Sequence, residues 1–332
     1  MQVGKLPPAA LQQLIFDQLG QRRSEIVLRG ALGEDSAALD LGGDLCVIAT
    51  DPITGAVKNA GWLAVHVSCN DIAANGADPV AVLLTILLPE GSSQQLVAEI
   101  MADAERAAAE IRVEIVGGHT ELTAAVNQPV ISAVAVGRVP AGQLATSNNI
   151  HPGDSLVVTK YVGLEGTAIL AWDFPHLVEP VVGKQLLLEA QALAQQLSVV
   201  PEARIAAAYG VRAMHDATEG GVLGAAYELA KAAGLGFELV EQELPLHPAT
   251  QMLAEHFRFD PLRLISSGTL LLATAEPAGL IARLQQAHIP AKVVGRFTAA
   301  GETLLLRDNG KVEPVEAPAG DELWRLQKEL LA

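Results

Sequence analysis

Aromatic residues are scarce in this chain: three Trp, three Tyr and six Phe among 332 residues. Half the residues are hydrophobic, so small and aliphatic side chains must do most of the packing. Cysteine is rarer still. Cys46 and Cys69 are the two present, and neither has CxxC spacing. That excludes a sequence-evident structural zinc site and a disulfide framework. Positive charge is also in deficit, with 22 Lys and Arg against 38 Asp and Glu and a net charge of −16. A general binder of nucleic-acid backbones needs a basic face, so that class is excluded. Long apolar runs are missing too: Pro79 to Leu88 is about half the ~20 residues that a bilayer span requires. The N-terminus MQVGKLPPAALQQLIFDQLG lacks a basic stretch feeding an apolar core. It reads as a short amphipathic helix over residues 8–20, not a signal peptide, and the expected compartment is the cytoplasm.

The length favours two domains. The apolar run Leu45 to Thr50 fits a buried strand that Asp51-Pro52 ends. A helix is expected over 60–76, a strand over Pro79–Leu88 and an alanine-rich helix over Gln94–Ile111. A short strand Glu114–Val116 then enters a Gly117-Gly118 turn, and a strand follows over Pro129–Val139. The order β, α, β, α, β, β is that of an α+β or α/β layer fold. The polar stretch Pro140–Gly153 marks a boundary between domains at 1–140 and 153–310, with a tail and helix over 311–332. The second half is read as strand 155–159, helices near 164–172, 183–197 and 201–209, then a helix over 219–233. Strands over 237–240, 270–274, 292–297 and 303–307 follow, with helices near 277–287 and 322–331.

Asp35, Asp51 and Asp71 each stand at the edge of an apolar element. Magnesium takes one or two carboxylates with water and phosphate oxygens, so as a set they suit a metal. Singly, each fits a turn or a helix cap. Gly117 and Gly118 permit close backbone approach, and consecutive N–H groups in such a turn suit phosphate oxygens. His119, Thr120 and Glu121 follow; His119 fits a base or a hydrogen-bonded structural histidine, and Thr120 can reach a phosphate or metal. Asp216-Ala217-Thr218-Glu219-Gly220-Gly221 opens a helix, where N–H groups and the dipole favour an anion. An N-cap by Asp216 or Thr218 explains the same residues. Lys160 ends a strand and is a candidate charge partner for phosphate, or a solvated lysine. Ser266-Ser267-Gly268-Thr269 fits an anion loop or a polar turn.

Five stretches fall in one order: Gly33-Glu34-Asp35-Ser36-Ala37-Ala38, Thr50-Asp51, Asn70 to Pro79 (NDIAANGADP), Gly117-Gly118-His119-Thr120 and Asp216 to Gly221. Together, over roughly residues 30 to 310, they resemble the aminoimidazole ribonucleotide (AIR) synthase superfamily, the PurM-like proteins. The resemblance implies an α+β N-terminal domain whose strands pair with a second copy in a homodimer. It also implies an α/β C-terminal domain, with ATP in the cleft and magnesium bridging carboxylates and phosphates. Asp35, Asp51 and Asp71 match the metal-binding acids, Gly117 and Gly118 the phosphate-side turn, and Asp216 the acid of the C-terminal motif.

Departures sort the superfamily. Thiamine-monophosphate kinases carry Asp after the Gly-Gly, where this chain has His119. Selenophosphate synthetase needs a Cys or selenocysteine in an N-terminal loop, and none precedes Cys46. HypE ends in a cysteine tail that accepts a carbamoyl group, whereas this sequence ends Gln327-Lys328-Glu329-Leu330-Leu331-Ala332. The texture is nearest to AIR synthase-related, HypE-like proteins. The expected function is Mg-ATP-dependent phosphoryl transfer to an unidentified small acceptor. A nucleotide-binding accessory or maturation factor and a thiamine-monophosphate kinase-like kinase are the alternatives. A maturation partner protein is compatible with the resemblance; nucleic acid and membrane partners are not expected.

Overall fold

The computed structural model describes residues 6–330 except 35, 55–57 and 300. These form two compact units. Residues 23–30 and 36–144 make the N-terminal unit. Residues 6–22, Ala31–Glu34 and 145–330 make the C-terminal unit. The first helix therefore segregates with the C-terminal unit. That helix, α1 (Pro8–Leu14), starts on proline and gives way to a 3₁₀ turn at Phe16–Gln18.

The N-terminal unit is a six-stranded sheet. Its strands are β1 (Ile26–Leu28), β2 (Ala37–Asp40), β3 (Leu45–Ile53), β4 (Asp78–Leu88), β5 (Glu114–Leu122) and β6 (Val130–Val139). They lie in the order β1-β2-β3-β6-β4-β5, antiparallel except for the parallel β4–β5 pair. Two helices, α2 (Ala60–Ala74) and α3 (Gln94–Ile111), complete it. The parallel pair requires a crossover, and α3 supplies it. Strand β3 does not end at Pro52: Pro52 still pairs with Ser132 and Ile53 with Ile131. Its other neighbour, β2, pairs only Leu45 to Ile48. Among the described residues nothing pairs with that side of β3 past Ile48, and on such an edge a missing proline N–H costs nothing.

Every residue of α2 is buried. Its surface is apolar or small nearly all round, which is the signature of a helix enclosed on every face. It packs on β3, β4 and β6 on one side and on α3 on the other. Glycine permits both contacts. A Cβ on Gly61 would lie 2.1 Å from the Ile100 carbonyl oxygen of α3, and one on Gly137 would lie 2.3 Å from Ile72 Cγ2. Helix α3 is amphipathic and buries Ile100, Ala104, Ala107, Ala108 and Ile111. Its start is capped by Ser93, whose Oγ accepts the Leu96 N–H at 3.2 Å.

The C-terminal unit continues with β7 (Ser155–Thr159), α4 (Leu164–Asp173), α5 (Pro175–Ala192), α6 (Val200–Tyr209), β8 (Ala213–Asp216), α7 (Gly221–Ala232) and β9 (Gly236–Val240). Then come α8 (Pro248–Phe257), β10 (Leu270–Thr274), α9 (Pro277–Gln286), β11 (Ala291–Thr298), β12 (Thr303–Leu306), β13 (Val312–Pro314) and α10 (Glu322–Leu330). The helix expected over 183–197 begins at Pro175 instead and is kinked at Gly183, which holds φ 80°. Seven strands lie in the order β13-β12-β9-β11-β7-β10-β8, antiparallel except for β12–β9. Leu156, Val158, Phe237, Leu239 and Phe297 from the sheet meet Leu223 and Leu229 of α7 in one core. A second core joins α4, α5, α8 and α10 through Leu170, Val178, Leu253, Leu323 and Leu326. Among the described residues no helix is long and apolar enough to cross a membrane.

Candidate functional site

Two of the acids expected to hold a metal lie in described elements of the N-terminal unit, Asp51 on β3 and Asp71 on α2. Leu45, Val47, Ala49 and Ile53 of β3 are buried. Asp51 shares their side by the two-residue period of a strand, which is the side α2 covers. Asp51 pairs with Ala133 of β6. The Ala133 carbonyl accepts a hydrogen bond from Ser68 Oγ of α2 at 3.2 Å. Asp71, 6% exposed, lies one helical turn past Ser68, and Asn75 lies one turn past Asp71. Ser36 Oγ donates to Asn75 Oδ1 at 2.6 Å. One face of α2, read Ser68, Asp71, Asn75, thus runs from the level of Asp51 to the residue after Asp35. Asp35 itself lies outside the described residues. Among the described residues no group of three or more His, Cys, Asp or Glu is gathered as a metal cage. Two carboxylates in one layer nevertheless suit magnesium, which takes one or two from protein and the rest from water and phosphate.

The Gly117-Gly118 stretch is not a turn. Strand β5 runs straight through it to Leu122, parallel to β4, with a bulge that skips Val116 between the Ile115 and Gly117 pairings. Gly117 and Gly118 hold φ 147° and 148°, which L side chains avoid. A Cβ on Gly118 would lie 1.9 Å from the Leu84 carbonyl oxygen. The pair therefore lets β5 approach β4, and the expected phosphate concavity is replaced by an extended edge. His119 and Thr120 stand exposed on that edge, with His119 Nε2 3.1 Å from Glu121 Oε2.

In the C-terminal unit β8 ends at the buried Asp216, and the following turn opens α7. Gly220 and Gly221 hold φ 87° and 62°. Their amides are engaged within the chain: Gly220 N–H donates to Asp321 Oδ2 at 2.7 Å and Gly221 N–H to the Thr218 carbonyl at 3.1 Å. A Cβ on Gly221 would lie 2.5 Å from the Leu262 carbonyl oxygen. These two glycines make a packing junction, so the open cradle expected from sequence is filled by the protein's own groups. Beside Asp216, His215 Nε2 lies 3.1 Å from Glu228 Oε2, both buried. The Gly33-Glu34 segment packs against the same helix. A Cβ on Gly33 would lie 2.6 Å from the Glu228 carbonyl oxygen, and Glu34 accepts from the Ser147 N–H and hydroxyl.

Lys160 is not a phosphate ligand in this arrangement. It is 8% exposed, and its ammonium has three protons to give. It lies 2.8 Å from the Gln196 carbonyl, 2.7 Å from that of Ser198 and 2.6 Å from Glu202 Oε1. Nothing is left for a ligand, and Lys160 ties β7 to α6. Ser266–Thr269 is a structural turn: Ser266 Oγ accepts the Gly163 N–H at 2.8 Å and Ser267 N–H donates to Glu165 Oε2 at 3.3 Å. Burial pushes the Glu165 carboxyl up to about 7. Neither Glu165 nor Asp321 was singled out from sequence. Glu165 sits in a helix's first turn like any capping acid, and Asp321 reaches Gly220 across 101 residues.

Two family profiles cover most of the chain. "AIR synthase related protein, N-terminal domain" matches residues 33–139, and "AIR synthase related protein, C-terminal domain" matches residues 151–306. The chain belongs to the AIR synthase-related family. Its relatives within it are HypE-like. It is 30% identical to the carbamoyl dehydratase HypE of Rhodobacter capsulatus, over 94% of this chain and 91% of that one. The crystal structure of Escherichia coli HypE, a hydrogenase maturation protein, matches with a TM-score of 0.75 at 25% identity, over 88% of this chain and 93% of that one. The fold is shared with a HypE solved in complex with ATP, at TM-score 0.70 and 21% identity, over 87% and 89% of the two chains. It is shared also with a chain of a HypE–HypF complex, at TM-score 0.75 and 19% identity, over 93% and 100%.

Proposed function

We propose that this protein is a Mg-ATP-dependent phosphoryl-transfer enzyme of the HypE-like branch, acting on a small acceptor. The observation that carries the reading is the placement of Asp51 and Asp71 in one layer of the N-terminal unit, on the β3 side facing α2 and on α2. In that layer they would hold magnesium on the nucleotide phosphates. The ion supplies charge neutralisation, which together with positioning is most of what such sites contribute. The relative solved with ATP supports a nucleotide here. The two thiols, Cys46 and Cys69, lie in β3 and α2, and the described part of the C-terminal segment has none. The acceptor is therefore a group other than a thiol of that described segment.

The same reading includes association. Strand β5 is an edge strand with Val116 and Leu122 exposed at 52% and 60%, and Val80, Leu83 and Val134 stand exposed on β4 and β6. An uncovered edge and apolar sheet face suit a homodimer. The HypF-bound relative supports a maturation partner protein as well.

A second reading has an observation of its own. Lys160 and the Gly220 and Gly221 amides are committed to internal partners. A nucleotide-binding accessory protein without acceptor chemistry would not need Lys160 as a catalytic charge partner. Calorimetric titration with ATP, with and without magnesium, tests the shared core of both readings. Asp71→Ala is expected to lower Mg-ATP affinity at least tenfold while binding without metal stays weak. Equal affinity in the variant would remove Asp71 from the metal site. Release of ADP or AMP in a metabolite pool separates the two: turnover favours the enzyme, and tight binding without turnover the accessory.

A further inference from the structure

Asp321 gathers three backbone donors from three segments. Gly220 N–H reaches Oδ2 at 2.7 Å, while Leu323 and Ile265 reach Oδ1 at 2.8 and 3.1 Å. The bond from Leu323 is an ordinary cap at the start of α10. The other two are long-range. Pro318 presses on the same place, since a Cβ on Gly220 would lie 2.8 Å from Pro318 Cβ. Three residues past Pro318, the segment turns into α10, whose Leu323 and Leu326 are each 1% exposed in the core with α5 and α8. One stretch is thus pinned to the α7 turn at its start and to the helical core at its end.

We infer that the C-terminal segment is a clamp on the turn that opens α7, with Asp321 as the positioning residue that holds the Gly220 amide. The inference goes beyond the proposed function: the turn is closed on the chain's own groups, and Asp321 is what closes it. A helix start favours an anion, and here the chain supplies its own. The groups facing Asp321 are of like sign: Glu219 in the turn and Glu165 in α4. Glu322, beside it on α10, is paired with Arg325. Burial, with the Glu219 charge adding to it, outweighs the three N–H donors and pushes the Asp321 carboxyl up to about 6. An unseated aspartate titrates near 4. The seated form thus favours the proton, and the clamp tightens as pH falls from about 8 to about 5.

Hydrogen–deuterium exchange on the full chain tests this, read on peptides over 217–224 and 320–328 after correction for intrinsic rates. Asp321→Ala is expected to speed both peptides about tenfold, because three amides lose a charged acceptor. In the native protein both are expected to exchange faster near pH 8 than near pH 5, a difference the variant lacks. Acceleration of 320–328 alone would reduce Asp321 to a cap of α10 and overturn the clamp, as would no change in either. The native pH series decides the matter if the variant does not fold: a flat response over 217–224 overturns it. Mg-ATP titration of the same samples separates the inference from the proposed function. A native protein that binds no Mg-ATP sinks the nucleotide reading while exchange still decides the clamp.

Discussion

Gly117-Gly118 and Gly220-Gly221 both hold the backbone where L side chains do not go, and they do so for different reasons. In β5 the need is strand against strand: Gly118 abuts the Leu84 carbonyl, while no atom lies within 4 Å of where a Gly117 Cβ would be. At the start of α7 the need is a crowded turn, with Leu262 O, Leu264 O and Pro318 around it and an internal carboxylate on one amide. The first pair is set in an exposed edge strand. The second lies beside the buried acids Glu165 and Asp321 and the half-buried Glu219. A glycine pair therefore reports that backbone is close to something, and only the fold says whether that is a ligand, a strand or the chain itself.

Alanine at each position grades the two pairs. Gly118→Ala meets a carbonyl at 1.9 Å as well as an unfavourable φ of 148°, and the atoms it meets are all backbone of Leu84. It is expected to cost about 4 kcal/mol or more, or to leave no folded protein. Gly117→Ala carries the backbone strain alone, about 1–3 kcal/mol. Denaturant titration ranks them, and equal losses would mean that strain, not the β4 contact, governs the first pair.

Acidity separates the pairs next. Glu165 is pushed up to about 7 by burial and Asp321 to about 6. Both are raised above their unfolded values. Their contribution to stability is therefore fully present below about pH 4 and is lost as pH rises through 6 and 7. Melting is expected to fall between pH 5 and pH 8 by the equivalent of about 2 kcal/mol. Glu165→Gln should flatten most of that slope. Glu25 and Glu313, held at about 2 by Arg23 and by Lys311 with Arg307, act only below about pH 4.5 and leave this window alone. A stability rising from pH 5 to 8 would mean that neither buried carboxyl carries the shift.

How far these features could be read from sequence depended on how local they are. Helix α3 falls on Gln94–Ile111 as expected, because an amphipathic period with a serine cap is a local signal. Strand β4 was equally legible as an uninterrupted apolar run. Strands β1 and β2 were not, being three and four residues long and partly exposed. The acids Asp35, Asp51 and Asp71 could be proposed as a set, but the placement of Asp51 and Asp71 follows from a strand register and a helix face, through Ala133 and Ser68. Lys160 illustrates the opposite failure. A lysine ending a strand gives no sign of the buried carboxylate 42 positions on that captures it. Asp321, more distant still from Gly220, had no local signature beyond an acid before a helix.

The smallest effect belongs to His119, next to the first pair. Its side chain is 65% exposed and its partner Glu121 is 48% exposed, so the contact is screened by water. His119→Ala is expected to change stability by less than about 0.5 kcal/mol. That near-silence is useful, because a fall in ATP-dependent turnover then cannot be blamed on folding. If His119 acts on a reacting group, the variant loses turnover at unchanged melting temperature. If turnover is unchanged too, the edge after Gly117-Gly118 serves pairing with another chain, and the chemistry must be sought along the Asp51 and Asp71 layer.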